Sequence, residues 1–160
     1  MQKITTFLTF QDRAEEAVEF YTSVFEDAKI TSTTRYPEAT AGTPDSLMTA
    51  TFELFGQEYV ALNGGSSFTF SQGISLLVTC ESQEEVDRYW DALTEGGEPG
   101  PCGWLTDKFG VSWQIAPRAL FEMISDPDRE KAGRAMQAML QMGKIEIDEL
   151  QRAYDGVAVG

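Results

Sequence analysis

Histidine is absent from this 160-residue sequence, and cysteine occurs only twice. Without histidine the chain lacks the commonest general base and the commonest transition-metal ligand, which excludes Ser-His and Cys-His nucleophiles and every His-based metal site. Cys80 and Cys102 do not form a C-x-x-C pair, so we expect neither structural zinc nor dithiol chemistry. The chemistry is therefore restricted to sites without histidine or paired thiols.

Long apolar runs and basic residues are also scarce. No run approaches the roughly 20 apolar residues that a membrane helix needs. The first residues carry no signal-peptide block, so we expect no membrane association and a cytoplasmic location. Twelve Lys and Arg residues against 26 Asp and Glu residues give a net charge of −14, which opposes binding to nucleic acid. We interpret the excess acid as solvated helix faces rather than as a docking surface.

The most informative pattern is a hairpin in the second half of the chain. Trp104–Thr106 and Val111–Ile115 read as two short strands, and Gly110 between them can adopt the positive φ that a tight turn requires. Alternation in the second strand sends its apolar residues to one face and Ser112 and Gln114 to the other. The apolar face predicts a core, and the uncharged polar face predicts the wall of a pocket.

The same order of elements occurs twice along the chain. Lys3–Phe10 alternates as a strand, and the amphipathic helix that follows is predicted to begin with Asp12 as its N-cap. Within that helix, Glu15–Tyr21 can be laid over Glu84–Trp90 at an offset of 69 residues. Both halves read as strand, helix and three strands, which predicts two similar units around a shared interior.

Turn and helix signals set the predicted boundaries. Gly64–Ser67 is the best linker candidate, and the loop Pro37–Asp45 could close over a site. Ser125–Pro127 predicts the start of a helix, and its methionine stripe indicates core or a subunit interface. The predicted division is a first module at residues 1–66, a second module at 67–117 and a helical extension at 118–160.

Four segments together resemble a known family: Phe20–Tyr21, Ala61–Gly65, Gly103–Ile115 and Met136–Ile145. They are similar to the PhnB-like proteins of the vicinal oxygen chelate superfamily, which includes glyoxalase I, the bleomycin-resistance proteins and extradiol dioxygenases. Many such sequences carry the name 3-demethylubiquinone-9 3-methyltransferase, although no glycine-rich nucleotide loop follows the first strand here. The resemblance implies an α+β fold of two βαβββ modules, with curved mixed sheets around a pocket, C-terminal helices and a homodimer.

The resemblance also implies four metal-ligand positions, on the first and last strand of each module. Here they fall on Thr5, on Ile74 or Ser75, on Ala61 or Asn63, and on Gln114. None of these side chains ionises, and neutral hydroxyl or amide oxygens offset little of the cost of dehydrating a dication. We therefore predict no metal and no cofactor.

The preferred interpretation is a small-molecule-binding protein of the glyoxalase/bleomycin-resistance type. The predicted pocket is lined by Thr5, Phe7, Thr9, Asn63, Ser112 and Gln114, with Trp104 at its rim. Such a mixture of polar and aromatic side chains suits binding more than bond cleavage. The competing explanation is that Thr and Ser on sheet faces simply reflect β propensity.

Two other interpretations remain open. A metal-dependent lyase, isomerase or dioxygenase-like enzyme would need carboxylates, but exposed hairpin charges explain Glu53 and Glu58 better. Asp107 is most simply a turn residue that accepts backbone hydrogen bonds. An anionic substrate could be held by Arg35 and Lys108, although a surface role is the commoner one for such residues.

Overall fold

Each half of the chain folds into a four-stranded mixed sheet with one helix packed on it. The computed structural model describes residues 2–37 and 45–157, so most of the predicted loop at 37–45 lies outside the described residues. Cα proximity divides the chain into two units, Met1–Phe70 and Ser71–Gly160.

The first unit places its strands in the order β1-β4-β3-β2, with β1 parallel to β4 and the other pairs antiparallel. Helix α1 buries its apolar stripe, including Ala17 and Tyr21, and stacks the Tyr21 ring on Phe52 of the sheet. The elements of this unit are β1 (Thr6–Phe10), α1 (Ala14–Val24), β2 (Ala28–Arg35), β3 (Leu47–Leu54) and β4 (Gln57–Asn63).

The second unit repeats this arrangement and adds three helices. Its strand order is β5-β8-β7-β6, again with the first strand parallel to the last. The predicted α+β class and the two βαβββ modules are therefore confirmed. The elements are β5 (Leu76–Cys80), α2 (Gln83–Thr94), β6 (Glu98–Pro99), β7 (Trp104–Thr106), β8 (Ser112–Pro117), α3 (Arg118–Ile124), α4 (Arg129–Met139) and α5 (Ile147–Asp155).

The division between the units falls later than the sequence predicts. The backbone N–H of Gly64 donates to the carbonyl of Phe10 at 2.8 Å, and the Phe70 ring packs edge-to-face on Phe10 at 5.1 Å. Residues beyond the predicted boundary at 66 therefore remain with the first unit. The helical extension in turn shares a core with the second sheet, because Ala116 at the end of β8 packs with Leu120 and Ile145.

Two helices begin differently from the prediction. Asp12 does not cap α1, whose N-cap is Arg13 without a side-chain hydrogen bond. Helix α4 starts two residues after the predicted Ser125–Pro127 signal, because Asp128 accepts hydrogen bonds from the next backbone N–H groups while Asp126 accepts from Asp128 itself. Within the ranges that the structure describes, no helix combines the length and apolar character needed to cross a membrane.

Candidate functional site

Polar side chains form a cross-strand row on one face of the second sheet. Glu98 on β6 pairs with Thr106 on β7, which pairs with Ser112 on β8. Residues directly opposed across antiparallel strands point to the same face, with Cβ atoms about 4.5–5.5 Å apart. A carboxylate and two hydroxyls therefore lie side by side, and Trp104 and Gln114 form the next row on the same face.

A cavity of about 460 Å³ borders this row. Trp104, Thr106 and Ser112 line it together with Gln72 and the segment Glu98–Cys102. Ser112 is only 3% exposed, and its hydroxyl forms no hydrogen bond with any residue that the structure describes. None of the fully buried side-chain N and O atoms in the described residues lacks a hydrogen-bond partner, so this unpaired hydroxyl reaches the open space of the cavity. It is available there to a ligand or to water.

The wall of the cavity is fixed from the C-terminal extension. Cys102 and Gly103 both have positive φ, 57° and 83°, which turns the chain between β6 and β7. Their backbone N–H groups donate to the carbonyls of Met142 and Gly143 at 2.7 and 2.8 Å. A Cβ on Gly103 would approach the Ile115 carbonyl oxygen to 2.8 Å, so glycine is required for this close contact.

The turn between β7 and β8 is held by Asp107, which is 3% exposed. Its Oδ1 accepts hydrogen bonds from the backbone N–H groups of Phe109 and Val111 at 2.8 and 3.0 Å, and its Oδ2 accepts from the indole Nε1 of Trp113 at 2.9 Å. The prediction that Asp107 organises the hairpin turn is confirmed. The indole bond additionally ties the turn to the core side of β8.

The register of the two sheets identifies equivalent positions. Thr6 pairs with Tyr59 in the first sheet, as Leu76 pairs with Trp113 in the second. The residue before the first strand is therefore Thr5 in the first sheet and Ser75 in the second. One step along β8 from Trp113 is Gln114, and the equivalent step along β4 from Tyr59 leads to Val60.

This equivalence resolves the alternatives left open by the sequence. Ser75, rather than Ile74, accepts a hydrogen bond from Gln114 Nε2 at 2.9 Å. In the first sheet, Val60 is the residue equivalent to Gln114, whereas the sequence predicted Ala61 or Asn63 for this position. Both of those residues point to the opposite face of β4, since the former pairs with Leu8 and is fully buried.

These positions do not fit a divalent cation. Thr5, Ser75 and Gln114 offer two hydroxyls and one amide, and Val60 offers no donor atom at all. Neutral oxygens of this kind are weak ligands for a dication. In the described ranges, no group of three or more Cys, Asp or Glu residues is placed to hold a metal.

The first sheet carries the other predicted residues on two faces. Phe7 pairs with Val60 and Thr9 pairs with Leu62, and the Phe7 side chain is 55% exposed. Thr5 lies one residue before β1 and continues the same alternation. These three residues form one surface of the first sheet.

Asn63 is separated from that surface, which corrects its predicted placement. It pairs with the buried Phe10, so its side chain lies on the face that carries α1. Asn63 Oδ1 accepts from the backbone N–H of Ala14 at 2.8 Å, and its Nδ2 donates to the carbonyl of Leu47 at 3.2 Å. Asn63 thereby supplies the contact at the start of α1 that was predicted for Asp12.

The charged residues of the alternative interpretations lie outside the cavity lining. Arg35 donates to the carbonyl of Asp45 at 3.3 Å, and the Lys108 ammonium lies 5.5 Å from the Phe109 ring centroid. Glu53 and Glu58 oppose each other across the β3–β4 hairpin. Lys29 Nζ, 3.4 Å from the Glu53 carboxylate, offsets the repulsion between these two acids.

Sequence reasoning missed much of the cavity wall. Gln72 and Glu98–Cys102 were not among the predicted residues, although they surround Trp104 and Ser112. The Gly- and Pro-rich composition of residues 96–103 is a turn signal next to a predicted rim residue. That signal indicates a loop, but only the pairing of β6 with β7 brings Glu98 beside Thr106.

Comparisons with known proteins cover both βαβββ units and stop short of most of the helical extension. The family model described as 3-demethylubiquinone-9 3-methyltransferase matches residues 2–116. A PhnB protein from Bacillus cereus, provisionally described as such a methyltransferase, is 42% identical, covers 72% of this chain and 99% of its own, and has a TM-score of 0.66. No curated protein matches the chain.

Two more distant structures support the fold alone. A protein from Pseudomonas aeruginosa is 21% identical over 73% of this chain and 98% of its own, with a TM-score of 0.62. The fosfomycin resistance protein FosX from Mesorhizobium loti is 15% identical over 72% of this chain and 91% of its own, with a TM-score of 0.51. The family match and the 42% identical PhnB protein identify this chain as a member of the 3-demethylubiquinone-9 3-methyltransferase family of PhnB-like proteins.

Proposed function

We propose that this protein binds a small molecule without the help of a metal, and that the cavity of the second unit holds the ligand. The observation that carries the proposal is the Ser112 hydroxyl, which belongs to the cavity lining and has no hydrogen-bond partner among the described residues. Trp104 beside it supplies a flat apolar surface. A mainly apolar concave site with a few convergent polar groups is typical of ligand pockets.

Binding is a better account of this cavity than bond cleavage. Its lining has no histidine, and the residues at the superfamily's metal positions are neutral or apolar. The family's printed name describes a methyltransferase, but the sequence has no glycine-rich loop that would hold a nucleotide-like methyl donor. We therefore propose sequestration or transport of the ligand as the role, with a metal-dependent enzyme as the alternative.

The remaining predictions extend this proposal to the rest of the chain. Thr5, Phe7 and Thr9 would form a further ligand-contacting or partner-covered surface on the first sheet, where the exposed Phe7 lies beside the partly exposed Val60. Gln114, in the row next to Ser112, would contact the longer ligands. A cytoplasmic homodimer is the proposed setting.

The test is a thermal-shift screen of small molecules against the purified protein, repeated with and without EDTA. A ligand of the cavity should raise the melting temperature equally in both conditions. Ser112→Ala and Trp104→Leu should reduce that shift, and Gln114→Ala should reduce it for longer ligands. The control is Ser67→Ala, which removes an exposed hydroxyl of the first unit.

Two results would contradict the proposal. A ligand shift that survives both cavity substitutions would place the ligand elsewhere. An increase of several degrees in melting temperature with micromolar Ni²⁺, Zn²⁺ or Mn²⁺, coupled to ligand binding, would favour the metal-dependent enzyme.

A further inference from the structure

The residues that line the cavity favour a positively charged ligand. We infer that its ligand is a primary ammonium compound with an aromatic or other flat apolar body. This inference rests on the proposed ligand-binding function and names the chemical class of the ligand. It depends on the charge of the lining, the order of the polar row and the position of one indole ring.

Glu98 is the charged side chain of the lining, and neither Lys nor Arg lines the cavity. Within the described part of the chain, the Glu98 carboxylate forms no ion pair or hydrogen bond. A ligand cation would therefore gain an unused partner, whereas a ligand anion would meet an uncompensated negative charge. The net charge of −14 acts in the same direction, because it raises the local concentration of cations.

The polar row matches the donors of an ammonium group. An –NH₃⁺ group has three hydrogen-bond donors and no acceptor. Cross-strand pairing sets the carboxylate of Glu98, the hydroxyl of Thr106 and the hydroxyl of Ser112 next to one another. All three can accept, and neither hydroxyl has a hydrogen-bond partner among the described residues. A carboxylate or phosphate ligand would obtain only the two hydroxyl donors.

Trp104 indicates which chemical group the ligand carries next to its ammonium. It lies one row along the same sheet face, is half-buried, and contacts no other aromatic ring in residues 2–37 or 45–157. An indole face attracts a cation or stacks on a flat apolar group. Pro99 and Pro101 complete an apolar wall that is fixed in shape by proline. The ammonium would lie over the polar row and the apolar body against Trp104.

Isothermal titration calorimetry with three matched probes tests this assignment. The probes are 2-phenylethylammonium, the neutral 2-phenylethanol and the anionic phenylacetate, which share one aromatic body. At neutral pH and low ionic strength the cation should bind about tenfold more tightly than the alcohol, and the anion more weakly than the alcohol. Raising the salt concentration should reduce this preference, since the carboxylate is solvent-exposed.

Variants assign the preference to named side chains. Glu98→Gln should weaken binding of the cation by about tenfold and leave binding of the alcohol unchanged, because only the charge is removed. Trp104→Leu should weaken binding of both the cation and the alcohol. Glu95→Gln is the matched control, since it removes a nearby exposed acid that does not line the cavity and should change neither affinity.

The outcomes separate this inference from the proposed function. If the three probes bind equally and Trp104→Leu weakens all of them, the ammonium assignment is overturned and ligand binding in the cavity stands. The same holds if phenylacetate binds best, or if no probe binds while another ligand gives a shift that depends on Ser112. If no probe binds and the ligand screen also fails, both proposals are overturned.

Discussion

The two hairpins that end the sheets are closed by different chemistry. Between β3 and β4 the turn consists of Phe55 and Gly56, both with positive φ, as a two-residue hairpin requires. Between β7 and β8 the connection is residues 107–111, and the buried Asp107 holds it through three hydrogen bonds. The first turn is formed by the backbone conformation of two adjacent residues, whereas the second depends on a side chain that reaches the core.

Strand length separates the two sheets as well. The strands β2 and β3 have eight residues each, whereas their counterparts β6 and β7 have two and three. The same strand order thus yields an extended hairpin in the first unit and a truncated one in the second. Truncation leaves the polar row beside a cavity, so the repeated topology supplies the scaffold and the shortened hairpin supplies the site.

Substituting Asp107 tests the difference between the two hairpins. Asp107→Ala should lower the free energy of unfolding by about 3 to 5 kcal/mol, because two backbone N–H groups and the Trp113 indole lose their acceptor in a buried place. Urea denaturation followed by tryptophan fluorescence measures this loss.

Gly56→Ala is the matched change in the first hairpin. Its φ of 79° disfavours a side chain, but no atom lies within 4 Å of the added Cβ, so the cost should be about 1 to 2 kcal/mol. Equal losses for the two substitutions would show that the Asp107 contacts add nothing beyond turn strain.

A second prediction concerns how the two helices begin. Asn63→Ala should cost about 2 kcal/mol, because it removes hydrogen bonds to both Ala14 and Leu47. Ser82→Ala should cost about 1 kcal/mol, because Ser82 caps α2 through a single bond to the Glu85 N–H. Chemical denaturation of both variants gives the comparison.

Asn63→Asp sharpens this test. An aspartate keeps the acceptor for the Ala14 N–H but loses the donor to the Leu47 carbonyl, so its stability should lie between wild type and Asn63→Ala. If the Asp and Ala variants are equally unstable, the hydrogen bond from the Ala14 N–H contributes nothing measurable to the free energy of unfolding.

The smallest expected effect comes from ion pairs. Arg13, the N-cap of α1, pairs with Glu16 of that helix, whereas Asp87 of α2 pairs with Lys144 of the extension at 2.9 Å. The hydrogen bond from Lys144, followed by that from Gln83, lowers the pKa of the Asp87 carboxyl below its usual value. A lowered folded-state pKa gives stability at neutral pH that is lost as the pH falls through that pKa.

Thermal melting of Asp87→Asn at several pH values checks this sign. The variant should melt slightly below wild type at pH 7, and the difference should vanish in acid below the folded-state pKa. Glu84→Gln on the same helix, which has no ion-pair partner in the described structure, should show no such convergence. A difference that grows on acidification would contradict the role of this pair.

Much of the secondary structure follows from local sequence signals. The predicted strand Trp104–Thr106 coincides with β7, and the predicted strand Val111–Ile115 overlaps β8, because alternation and turn residues act over a few positions. The cap of α1 does not follow from them. Its acceptor, Asn63, lies 49 residues from Ala14 and reaches it only through the pairing of β1 with β4.

The amino-acid sequence by itself determined the repeated βαβββ order and the absence of histidine. These are properties of composition and of neighbours along the chain. Only the tertiary structure decided that Glu98, Thr106 and Ser112 share a row, and that Asn63 belongs to a helix start. Strand register and sheet face join residues distant in sequence, so they depend on which strands pair rather than on local preference.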